Sequence, residues 1–79
     1  MAKFKLGEIV QLRSGGPDMT VINVIEKANP GQWRMYVMHW QQENPSVETW
    51  YQTQWFEGTI LKKEVFIEEA LDSDEEVVF

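Results

Sequence analysis

The sequence contains no cysteine and only one histidine, His39. The first absence excludes disulfides and thiolate zinc sites, and the second excludes a His-rich metal centre. No apolar run approaches the roughly 20 residues of a membrane-spanning helix. The opening Met1-Ala2-Lys3-Phe4-Lys5 lacks the apolar stretch of a secretory signal. A cytoplasmic protein with no membrane partner is therefore expected. No cluster of lysine and arginine occurs either, so the electrostatic footprint of a nucleic-acid binder is missing.

What the chain does have is aromatic surface. Its 79 residues include four Trp, four Phe and two Tyr. A single domain of this length buries only about 60% of its unfolded surface. Each aromatic ring contributes roughly 150–250 Å² to that burial. The net charge of −6 is unevenly placed. Seven of the thirteen acids lie from Glu64 onward with no base among them, and all seven bases lie in residues 1–63. Residues 72–79 thus read as an acidic tail on a domain spanning 1–71, with Val77-Val78-Phe79 ending it as a short edge strand or a free end.

Residues 8–13 alternate as a strand. Ser14-Gly15-Gly16-Pro17-Asp18 then turns the chain. Adjacent glycines permit positive φ, and Pro17 fixes its own φ and removes a donor. Met19–Glu26 follows with apolar residues in both phases. That pattern indicates a strand covered on both faces or a bulge that switches phase. Asn29-Pro30-Gly31 and Glu43-Asn44-Pro45-Ser46 are turn signals. Between and after them, Trp33–Trp40 and Val47–Phe56 are rich in β-formers. They read as the two arms of an extended aromatic hairpin. Glu57-Gly58 turns into a strand over Thr59–Ile67, and Ile67–Leu71 has the spacing of one helical turn. The pattern predicts an all-β fold: an SH3-like barrel of about five antiparallel strands with at most one short helical turn.

The run Gly7-Glu8-Ile9-Val10-Gln11-Leu12-Arg13-Ser14-Gly15-Gly16-Pro17-Asp18-Met19-Thr20-Val21 resembles the opening of the YodC-like family of small uncharacterised bacterial proteins. Trp55-Phe56, Gly58, Leu61, Phe66 and Leu71 fall at the positions that family's pattern requires. The resemblance covers most of the chain and implies a small β-barrel with no assigned activity. Many members carry a cysteine two residues before the tryptophan. Thr53 stands there in this chain, so no thiol role transfers. The segment from Gly31 to Thr49 is longer than usual.

No catalytic constellation stands out. Nucleophilic catalysis needs a Ser, Cys or Thr beside an oriented base, and His39 lies between Met38 and Trp40. Gly15, Gly16 and Pro17 lead into a strand rather than the helix of a phosphate loop, so their role reads as structural. The terminal acids lack the Gly and spacing of a calcium loop. No enzyme activity, metal or cofactor is expected.

Trp33, Tyr36, Trp40 and Trp50, with Arg34 and His39, are the candidate binding residues. One small core cannot absorb every ring, and aromatics are enriched in interaction hot spots. The surplus rings either cover a second face, form a dimer contact or line a groove. The leading expectation is a non-enzymatic module that binds a protein partner, a second copy of the chain among the candidates. Base stacking on the aromatics would instead make a single-stranded nucleic-acid or nucleotide binder, with Arg13, Lys27, Arg34, Lys62 and Lys63 facing phosphates. A third reading makes the acidic tail a decoy for a basic partner.

Overall fold

The computed structural model describes residues 2–73. Five antiparallel strands form one sheet, as the alternation predicts: β1 (Ile9–Leu12), β2 (Met19–Glu26), β3 (Thr49–Glu57), β4 (Ile60–Ile67) and β5 (Leu71–Ser73). The strand order is β4-β3-β2-β1-β5. A 3₁₀ turn at Glu68–Ala70 leads from β4 into β5, where the sequence indicates one helical turn. The last described strand includes Asp72 and Ser73, so the folded unit runs past Leu71 and the boundary placed there is corrected. The acidic residues Asp74, Glu75 and Glu76 and the edge strand expected at Val77–Phe79 lie outside the described residues.

The opening turn behaves as its glycines require. Gly15 and Gly16 sit at φ 100° and 131°, a region costly for any side chain. The Gly15 N–H donates to the Leu12 carbonyl at 2.9 Å. The Gln11 amide donates to Asp18 Oδ1 at 2.6 Å across the loop, tying its two ends together. Gly58, at φ 65°, makes the tight turn between β3 and β4.

One expected strand is a helix instead. Residues Gly31–Trp33 form a 3₁₀ turn that continues into the α-helix α1, Arg34–Glu43. The extended hairpin from Trp33 to Phe56 therefore does not exist, and the helical content exceeds one turn. The long hairpin of this fold is β3–β4, paired over eight positions from Trp50↔Ile67 to Glu57↔Ile60. The reason is periodicity. Trp33, Val37 and Trp40 recur at i, i+4 and i+7, which places them on one helical face. Arg34, Met35 and Met38 between them, and Gln41, Gln42 and Glu43 after them, favour helix over strand. Pro30 precedes the first turn, and Asn44-Pro45 ends the helix.

The packing has two centres. Phe4, Val10, Met19, Val21, Tyr51 and Leu71 form one buried cluster, against which Phe66 of β4 also packs. All five strands reach this cluster, which a flat sheet does not allow, so the sheet curls around it. Ile25, Val37, Val47 and Trp50 form the second, with Trp33, Trp40, Val65 and Ile67 packed on it. Successive strand residues face opposite ways. Trp50 and Tyr51 are adjacent, so the second cluster lies on the outer face of the sheet, beneath α1.

A bulge sets this division. The β2–β3 register shifts between Val21 and Asn23, leaving Ile22 as the extra residue. Val21↔Thr53 and Val24↔Tyr51 face the barrel, whereas Ile25↔Trp50 faces the helix. Both features suggested by the two-phase sequence of β2, coverage on each side and a phase switch, are present.

Candidate interaction surface

α1 divides its residues between a dry face and a wet one. Trp33, Val37 and Trp40 point toward the sheet. The Trp40 ring lies 5.6 Å from Trp50 and 6.2 Å from Trp33 between centroids. Tyr36 closes the group at 5.4 Å from Trp33 and 5.8 Å from Trp40. These spacings are those of favourable offset and edge contacts. The rings run from solvent at Tyr36, which is 58% exposed, to full burial at Trp50, which is 2% exposed.

The six candidate residues thus separate. Trp50 is core and offers no surface, which corrects its place among binding residues. Trp33 and Trp40 are half-buried, their faces occupied by each other and by the sheet. Tyr36, Arg34 and His39 are exposed on the helix. The His39 side chain makes no hydrogen bond or ion pair among the described residues.

Two residues absent from the sequence-based set dominate the outer face. Met35 is 81% exposed and Met38 62%. Met35, Tyr36 and His39 line a shallow, mostly apolar depression. A helical reading of residues 33–40 would have found them, since Met35 and Met38 sit at i and i+3, opposite the buried stripe. A second exposed apolar group, Phe56, Ile60 and Leu61, lies at the tip of the β3–β4 hairpin.

Polar chemistry concentrates where the N-terminal segment meets the barrel. The Tyr51 hydroxyl accepts from the Lys3 and Phe4 backbone N–H groups at 2.9 and 3.2 Å. It donates to Glu68 Oε1 at 2.6 Å, and Lys3 N–H donates to the same oxygen at 2.9 Å. Burial, and then the hydrogen bond to Glu68, push the Tyr51 phenol up to about 12. Every donor and acceptor here has an internal partner, so the arrangement fastens residues 3 and 4 rather than presenting a reactive group. Arg13, one of the bases assigned to phosphates, pairs with Asp72 at 3.3 Å. Among the described residues no three His, Asp or Glu side chains converge as a metal site. No described helix is long and apolar enough to cross a membrane.

Thr53 occupies a fully buried position, and its hydroxyl donates to the Glu64 carbonyl at 3.2 Å. Side chains at this site face the barrel interior, so the residue type there is a packing matter.

No curated protein and no solved structure matches the chain. The opening turn, α1 and both cores apart from Phe4 fall within residues 5–71, which match the family model described as an uncharacterized small protein, DUF2158, and the chain belongs to that family.

Proposed function

We propose that the protein is a non-enzymatic binding module whose contact surface is the outer face of α1. The carrying observation is the exposure of Met35, Tyr36 and Met38 on a helix whose other face is already anchored. Clustered exposed apolar side chains mark interaction sites on small proteins. Methionine suits such a surface because its unbranched side chain adapts to the partner's shape. Arg34 and His39 supply polar contacts at the margin. The partner in this reading is a protein, and the barrel serves as a rigid support.

The finer kinship to the YodC-like proteins belongs to the same proposal, supported by the Ser-Gly-Gly-Pro-Asp-Met-Thr-Val run and by the structural role of its glycines. The stacking reading for nucleic acid is not favoured. The Trp33 and Trp40 faces are occupied, and Arg13 is paired.

The test uses the full chain as bait in a cell extract, with Met35→Glu/Met38→Glu beside a control, Leu61→Ser. Capture of a defined protein by the wild type and the control, lost in the double variant, supports the reading. Capture indifferent to the helix variant refutes it.

A further inference from the structure

Where β3 begins and β4 ends, three glutamates share one polar cavity. The β3–β4 ladder closes at Trp50↔Ile67, so Thr49 and Glu68, the residues just beyond it, are neighbours. The loop after α1 brings in Ser46 and Glu48, and the 3₁₀ turn adds Glu69. These five residues line a cavity of about 270 Å³. Every one of them is polar.

The cavity holds charge without counter-charge. Among the described residues none of Glu48, Glu68 and Glu69 pairs with a Lys or Arg; the salt bridge formed is Arg13–Asp72. Glu68 is held by neutral donors, since its Oε1 accepts from the Tyr51 hydroxyl and the Lys3 N–H. Those bonds fix the carboxylate in place and leave its charge unpaired. A second, independent observation concerns Thr49. It is only 6% exposed, yet its hydroxyl makes no hydrogen bond among the described residues. Buried hydroxyls are ordinarily bonded. Thr49 lines the cavity and its oxygen is not sealed in protein, so the free bond is available to an occupant.

The occupant has to be a cation with several donors, because carboxylates only accept and the hydroxyls can accept as well. A hard metal ion needs its oxygens drawn in to about 2.0–2.6 Å. No three carboxylates converge in that way among the described residues. An ammonium gathers three donors at one point, whereas a guanidinium spreads five over a rigid plane and pairs bidentately with carboxylates. We infer that this cavity binds a guanidinium group, the head of arginine, whose N–H groups donate to Glu48, Glu68, Glu69 and the Thr49 hydroxyl. The group is supplied either by the free amino acid or by an arginine of a protein. This site shares no residue with the exposed α1 face, and either reading stands without the other.

Amide NMR spectra of the full chain test the proposal, with three probes: L-arginine, the blocked peptide acetyl-Gly-Arg-Gly-amide and its lysine counterpart. At about 0.15 M salt, long-range attraction between exposed charges is screened. Arginine in at least one form is then expected to shift the amides of residues 46–49 and 68–69 saturably, with a Kd of about 10 mM or tighter. The lysine peptide is expected to bind at least about fivefold more weakly than the arginine peptide or L-arginine, whichever is tighter. Tighter binding of the arginine peptide assigns the group to a protein, and tighter binding of L-arginine assigns it to the free amino acid; both support the site. Glu48→Gln/Glu69→Gln, at exposed positions that leave the Glu68 hydrogen bonds intact, is expected to weaken binding at least about tenfold. Thr49→Val is expected to weaken it at least about threefold. Far-UV circular dichroism confirms that each variant is folded. Should Thr49→Val unfold, the double glutamine variant decides alone. No saturable shift up to about 50 mM of either arginine probe overturns the proposal. So does equal binding of the lysine peptide, or binding indifferent to the glutamine variant.

Discussion

The Tyr51 hydroxyl donates to Glu68 Oε1 at 2.6 Å while accepting from the Lys3 and Phe4 backbone. One side chain of β3 thereby joins the N-terminal segment to the turn before β5. Phe4 packs edge-on against the same ring, 5.2 Å between centroids. Removing the hydroxyl leaves the Phe4 N–H without its buried partner. Tyr51→Phe is expected to destabilise the fold by about 1–3 kcal/mol, the usual cost of an orphaned buried group. Urea unfolding at pH 7 measures it.

The same phenol makes stability depend on alkaline pH. Its ordinary value is near 10, and in the folded state it is about 12. The folded protein holds the proton more tightly than the unfolded chain. The contribution is complete below pH 10 and is lost as pH rises from about 10 through about 12. A shift of this size corresponds to roughly 2–3 kcal/mol. The stability gap between wild type and Tyr51→Phe should therefore shrink between pH 8 and pH 11.5. An unchanged gap contradicts the assignment.

Trp40 and Trp50 are expected to differ sharply when truncated. Trp50 is fully enclosed between α1 and the sheet, so Trp50→Ala opens a cavity at a cost of about 3–5 kcal/mol. Trp40 is half-exposed, and its neighbours can close over part of the space. Trp40→Ala should cost clearly less than Trp50→Ala. Denaturant midpoints of the two variants decide the order, and an inverted order would mean that the helix does not sit on Trp50.

Gly16 holds φ 131°, and a Cβ added there meets no atom within 4 Å. Gly16→Ala therefore tests backbone strain without a steric clash. It should destabilise by roughly 1–3 kcal/mol. A neutral result would show that the loop between β1 and β2 relaxes to negative φ.

Much of the barrel was legible from alternation and punctuation. Met19–Glu26 has the predicted bounds, Gly15 and Gly16 adopt positive φ, and Ile67–Leu71 brackets a helical turn. These features depend on local backbone chemistry, which short windows capture. The segment from Trp33 to Trp40 reads as a strand because its aromatics and Val37 are β-formers, a preference that depends on context. Its helical stripe becomes meaningful only once an outer sheet face exists for it to cover. The face is made by Ile25, Trp50, Val65 and Ile67, residues from three strands. For the same reason the sequence placed the rings of the candidate surface correctly as surplus to the barrel but not on the right element. Met35 and Met38 share an exposed face only in a helix, so a strand reading does not single them out.

Thr49, Trp50 and Tyr51 are consecutive and all buried, with Trp50 serving the layer under α1 and Tyr51 the barrel. This makes β3 a shared wall with no tolerance for slippage. A one-residue shift against its neighbours would send the indole into the barrel and the phenol, with its hydrogen bonds, beneath the helix. Both layers would fail together. Single-residue insertions within Thr49–Thr53 should then abolish folding, whereas insertions in the loop between Arg13 and Asp18 should be accommodated. The sequence of this protein is thus free to lengthen at its turns and locked in frame along one strand.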